Sequence, residues 1–83
     1  MSTIFFGSLT SSTSRTFTGN GIILCAGGGQ NSGYNAQFKL NGTLISFTVD
    51  LGNNHKITLG FASVSNGDVL TAAQNSQYLG IYY

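Results

Sequence analysis

The 83-residue sequence predicts an all-β fold: a small jelly-roll-like sandwich or barrel of about eight short antiparallel strands, in a single domain spanning residues 1–83. Three observations carry that expectation. No stretch of a dozen residues keeps a 3.6-residue apolar period, so helix signals are missing. Asn-Gly, the strongest short hairpin signal, occurs at Asn20-Gly21, Asn41-Gly42 and Asn66-Gly67. The chain is rich in Gly, Thr and aromatic residues and holds no proline, so its bends fall to Gly and Asn.

Strands are expected near residues 3–6, 14–18 and 21–26, the last being the apolar run Ile22-Ile23-Leu24-Cys25. The segment "AGGGQNSG", residues 26–33, reads as a flexible loop without an apolar anchor. A two-residue turn at Asn41-Gly42 then places Leu40 opposite Thr43, Phe38 opposite Ile45, Ala36 opposite Phe47 and Tyr34 opposite Val49. All but Thr43 make an oily face expected to be core, while Asn35, Gln37, Lys39, Ser46, Thr48 and Asp50 make a polar face with Leu44 as its apolar intruder. A three-residue loop at Gly52-Asn53-Asn54 sets Asp50 across from Lys56 and Val49 across from Ile57, with Leu59 and Phe61 extending the oily face. Strands near 68–73 and 77–83 complete the set. The last has Tyr78, Gly80 and Tyr82 on one side and Leu79, Ile81 and Tyr83 on the other, so both sides require cover.

Charge is scarce: Arg15, Lys39, Lys56, Asp50 and Asp68 make up 6% of the chain, against about 25% in soluble domains. A polar surface of Ser, Thr, Asn, Gln and Gly suits packing on identical copies, since no ion must be desolvated. The net charge of +1 leaves no electrostatic footprint for nucleic acid. A chain this short buries a small core and needs outside help, and Cys25, the lone cysteine, cannot form an intrachain disulfide. One His and two Asp supply no metal cage, and no cofactor motif is present. Oligomerisation is the remaining help, with Leu44, Phe61, Tyr78, Tyr82 and Tyr83 as candidate interface residues. No apolar stretch spans a bilayer, and the N-terminus has no secretory signal pattern. "GIILCAGGG" fails as a lipoprotein site because Leu24 precedes the cysteine and the apolar run is too short.

Catalysis finds little support. His55 is the only imidazole and falls in a turn, Cys25 sits in an apolar strand, and neither Asp50 nor Asp68 is set up as an acid or base. "GGGQNSGY" places Tyr34 where a phosphate loop requires lysine. Asn41-Gly42-Thr43 fits a glycosylation pattern, but the tight turn accounts for it. Asn31, Tyr34, Asn53, Asn54 and His55 are the residues that offer amide donors and an aromatic platform to a ligand such as a sugar, which makes a free-standing lectin the alternative to an assembly protein.

In order, "RTFTGNGIILCAGGG", "AQFKLNGTLISF", "ITLGFASVSNGDVLTAAQ" and "YLGIYY" resemble the small trimeric jelly-roll heads of phage tail fibres, and more loosely the tumour necrosis factor and complement globular-head fold. Phe17-Thr18, Asn41-Gly42, Gly67-Asp68-Val69 and Tyr78 to Tyr83 carry the likeness. The resemblance implies a homotrimer with its last strand near the axis. It also implies a virion protein, made in the host cytoplasm without a signal peptide, that binds other virion proteins or a host-surface glycan.

Overall fold

The computed structural model describes residues 2–30 and 34–83. Its strands are β1 (Thr3–Leu9), β2 (Ser14–Thr16), β3 (Gly21–Gly29), β4 (Phe38–Leu40), β5 (Thr43–Leu44), β6 (Ser46–Gly52), β7 (His55–Val64), β8 (Val69–Ala72) and β9 (Ser76–Tyr82). They form a five-stranded sheet in the order β1-β9-β3-β7-β6 and a four-stranded sheet in the order β2-β8-β4-β5. Every pairing is antiparallel. Only Ile45 separates β5 from β6, so the two are one strand that leaves the small sheet for the large one. Counted together they make the eight strands of a jelly-roll-like sandwich. The sheets do not close into a barrel. Among the described residues there is no helix, and hence none long and apolar enough to cross a membrane.

The switch at Ile45 corrects one expectation. The turn forms as expected: Leu40 pairs with Thr43, and Asn41 and Gly42 both take positive φ, 53° and 82°. The Ile45 N–H still donates to the Phe38 carbonyl at 3.0 Å. Then the Ser46 hydroxyl accepts the Phe38 N–H at 2.9 Å, taking the place of the next ladder bond. From Ser46 onward the chain pairs with β7 instead. Ala36 and Phe38 are therefore buried, whereas Phe47 and Val49 are exposed.

The second hairpin keeps its expected register, Asp50 opposite Lys56 and Val49 opposite Ile57. Its turn is Asn53-Asn54, both at positive φ, with Gly52 opposite His55 and a bulge between Asp50 and Gly52. The bulge absorbs the residue that an unbulged reading assigns to the loop. Asn66-Gly67 also turns, closed by the Asp68 N–H on the Ser65 carbonyl at 3.0 Å. Asn20-Gly21 does not: Gly21 opens β3 between Val64 and Tyr82. The expected loop at 26–33 is strand as far as Gly29, and residues 31–33 lie outside the described residues. Its glycines let the Tyr34 ring lie on the sheet, where a Cβ at Gly27 or Gly29 would collide with it.

Between the sheets lie Leu9, Phe17, Ile23, Cys25, Phe38, Val64, Leu70, Ala72 and Tyr78. At one end Phe5 stacks on Tyr82, ring centroids 4.3 Å apart, and meets Phe17 at 5.6 Å. Gly80 makes room for this, because any side chain there would enter the Phe5 ring. Arg15, from the small sheet, lies 5.5–5.9 Å from the rings of Phe5, Phe17 and Tyr78, tying one sheet to the other through cation–π contacts.

Candidate interaction surface

Strand alternation sends Phe5, Leu9, Ile23, Cys25, Tyr78 and Tyr82 inward. It therefore sends Ile4, Phe6, Ile22, Leu24, Leu79 and Ile81 to the outer face of the large sheet. The register aligns these residues across strands. Phe6 sits opposite Leu79, Leu79 opposite Leu24, and Leu24 opposite Phe61. A parallel row runs Ile4, Ile81, Ile22. Beyond it, Leu59 lies between Ala26 and Phe47, and Ile57 between Gly28 and Val49. The exposed side chains reach 71% at Ile4, 63% at Phe6 and 71% at Phe61. A shallow trough of about 440 Å³ lies over Ile22, Leu24, Phe61, Ser63, Leu79 and Ile81.

Together these residues expose roughly 1,000 Å² of apolar side chain on one face, where the largest patch of a monomer is about 300–600 Å². A standard protein interface takes about 800 Å² from each partner. At the far end of the sheet the inner side carries a buried polar residue. Thr58 is fully buried on the inner side and shares a hydroxyl hydrogen bond of 2.9 Å with Thr48, which is itself exposed on the edge strand β6. Phe47, Val49, Leu51 and Ile57 point away from the sandwich.

The expected interface residues divide between these surfaces. Phe61 is on the outer face of the large sheet, and Tyr83 follows Leu79 and Ile81 in alternation, 70% exposed. Leu44 is exposed on the small sheet, opposite Lys39. Tyr78 and Tyr82 correct the expectation. Tyr78 is 5% exposed in the core, and Tyr82 turns inward onto Phe5. Burial pushes the Tyr82 phenol up, but hydrogen bonds from Arg15 at 3.4 Å and the Thr18 N–H at 3.1 Å outweigh it and bring the group below its usual value. The sequence signal for Ile4, Phe6, Ile22 and Leu24 as surface residues is that "IFF" and "IIL" are apolar at both strand parities, as Leu79 and Ile81 make the last strand.

Of the ligand candidates, Asn31 lies outside the described residues. The Tyr34 ring is folded onto Gly27 and Gly29, and its hydroxyl donates to the Asn75 carbonyl at 3.2 Å. Burial raises its pKa. Asn53 and Asn54 form the β6–β7 turn, and His55 beside them lies 2.7 Å from Gln30 through its Nε2. Gly29 pairs with Lys56, so the Tyr34 ring and His55 share one end of the large sheet. The Tyr34 ring is thus half-buried, packed against the glycines at this end of the sheet. Cys25 is fully buried, and burial pushes its thiol up to about 12, which leaves no thiolate to act as a nucleophile. No protein family, curated sequence or solved structure matches the chain.

Proposed function

We propose that this chain is a structural or receptor-binding component of a phage virion that works by assembly and binding and performs no chemistry. One observation carries the assembly part: the large sheet exposes an apolar face wider than a monomer keeps in water. The scarcity of charge supports it independently, because copies pack without desolvating ions. The virion part rests on the resemblance of the turn-and-strand sequence to tail-fibre heads, which also favours a trimer and a location in the virion. Other virion proteins, or a glycan on the host surface, are the partners that such a component meets.

Light scattering at micromolar concentration tests the assembly. The expected mass is a small multiple of 8.7 kDa, and a monomer mass would remove the main support. Phe61→Lys adds a charge in the middle of the face at a site that is already solvent-exposed in the protomer, so it should lower the mass while leaving the circular dichroism of the fold unchanged. Genes for tail or capsid proteins flanking the coding sequence are expected, and a locus without any would argue against the virion.

A further inference from the structure

The four edges of the two sheets are not equally protected. β2 and β5 are edges of three and two residues, and β6 is bent by its bulge and carries Asp50. β1 has none of these devices. It pairs with β9 through seven consecutive residues without a register shift, and "TIFFGSL" contains no charge and no proline. Natural edges of that length are normally blunted, because their outward N–H and C=O groups template another strand.

Those outward groups can be named. The Tyr83 N–H donates to the Asn20 carbonyl at 2.9 Å, so this is a hydrogen-bonded pair of the β3–β9 ladder. Alternation along β9 then turns the backbone of Tyr82, Gly80, Tyr78 and Ser76 toward β1. Thr3, Phe5, Gly7 and Leu9 receive them, which leaves Ile4, Phe6 and Ser8 with N–H and C=O directed away from the sheet. Their side chains lie on the apolar outer face.

We infer that β1 is a second self-association site, at which two copies join edge to edge, antiparallel, about a two-fold axis through Phe6. In that register Phe6 faces its own symmetry mate and Ile4 faces the mate's Ser8, so every outward group of all three residues on each copy is paired. A second copy is the occupant that the geometry favours, because the pattern is complementary to itself and no like charges oppose each other. The two large sheets become one continuous sheet of ten strands, and their apolar faces merge. The edge is separate from the face contact, so a cyclic oligomer built on the face would be doubled by the edge.

Two experiments on the full chain test this. Phe6→Cys should give a covalent dimer under mild oxidation, because opposed residues of a hydrogen-bonded pair stand about 5.5 Å apart at Cα, within disulfide reach. The parent chain, with only its buried Cys25, should give none. Ile4→Cys should not cross-link with itself but should do so when mixed with Ser8→Cys. Ser8→Pro removes one outward N–H without touching the β9 ladder and should halve the assembled mass; in a Phe61→Lys background it should take the remaining dimer to 8.7 kDa. A Phe6→Cys chain that stays uncross-linked, or a Ser8→Pro chain of parental mass, would overturn the edge pairing. An unchanged response to Phe61→Lys would instead count against the face, so the two failures are distinguishable.

Discussion

At the scale of single residues, burial and hydrogen bonding decide which of the few reactive groups are available. Cys25 is fully buried with a thiol pushed up to about 12. A thiol reagent at pH 8 should therefore leave the native chain unmodified and label it stoichiometrically in denaturant; labelling of the folded protein would show that β3 opens. Asp68 is held below its usual value by the Asn41 amide at 3.0 Å and the Ser65 N–H at 2.8 Å. Its folded pKa is depressed, so the stabilisation is fully present above the unfolded value of 3.8 and is lost as pH falls through the folded one. Thermal melts should show stability declining below about pH 4, with a flatter acid limb in Asp68→Asn. In the sequence Arg15 is one charge of five. Its seat among three aromatic rings depends on contacts between the sheets, which no local spacing records.

At the scale of elements, what was legible in the sequence was local, and what was missed depended on neighbours. The Asn41-Gly42 turn and the pairing of Asp50 with Lys56 follow from turn chemistry and period-two alternation, both contained in a dozen residues. The exit of the chain at Ile45 is not contained there, because it takes β7 to offer the better partner for β6. Gly27 to Gly29 read as loop by composition, yet they extend β3 because β7 pairs with them. Their missing side chains accommodate Tyr34. The Asn53-Asn54 turn can be tested directly. Both residues sit in the left-handed region, at φ of 52° and 63°, which costs alanine roughly 1 kcal/mol more than asparagine or glycine. Asn53→Ala should lower the melting temperature by several degrees and Asn53→Gly should not; equal effects would mean that the Asn53 side chain, and not its backbone, holds the turn.

At the scale of the whole molecule, the chain has too little interior for its apolar content. The sandwich is 43 Å long and 22 by 18 Å across, and the inner layer holds Phe17, Phe38, Leu70 and their neighbours. Ile4, Phe6, Leu24, Phe61 and Leu79 are left over on the outside. The sequence indicated the surplus, in runs that are apolar at both parities, but the choice of buried parity is made by the second sheet. If copies of the chain provide the missing cover, then part of the stability belongs to the assembly and depends on concentration. A tenfold rise in protein concentration should raise the melting temperature by about 4–8 °C in a domain of this size. The dependence should weaken in Phe61→Lys and vanish when Ser8→Pro is added. Scanning calorimetry over two decades of concentration measures this: a melting temperature that stays fixed for the parent chain would mean that the exposed face contributes nothing to the stability of the folded chain in solution.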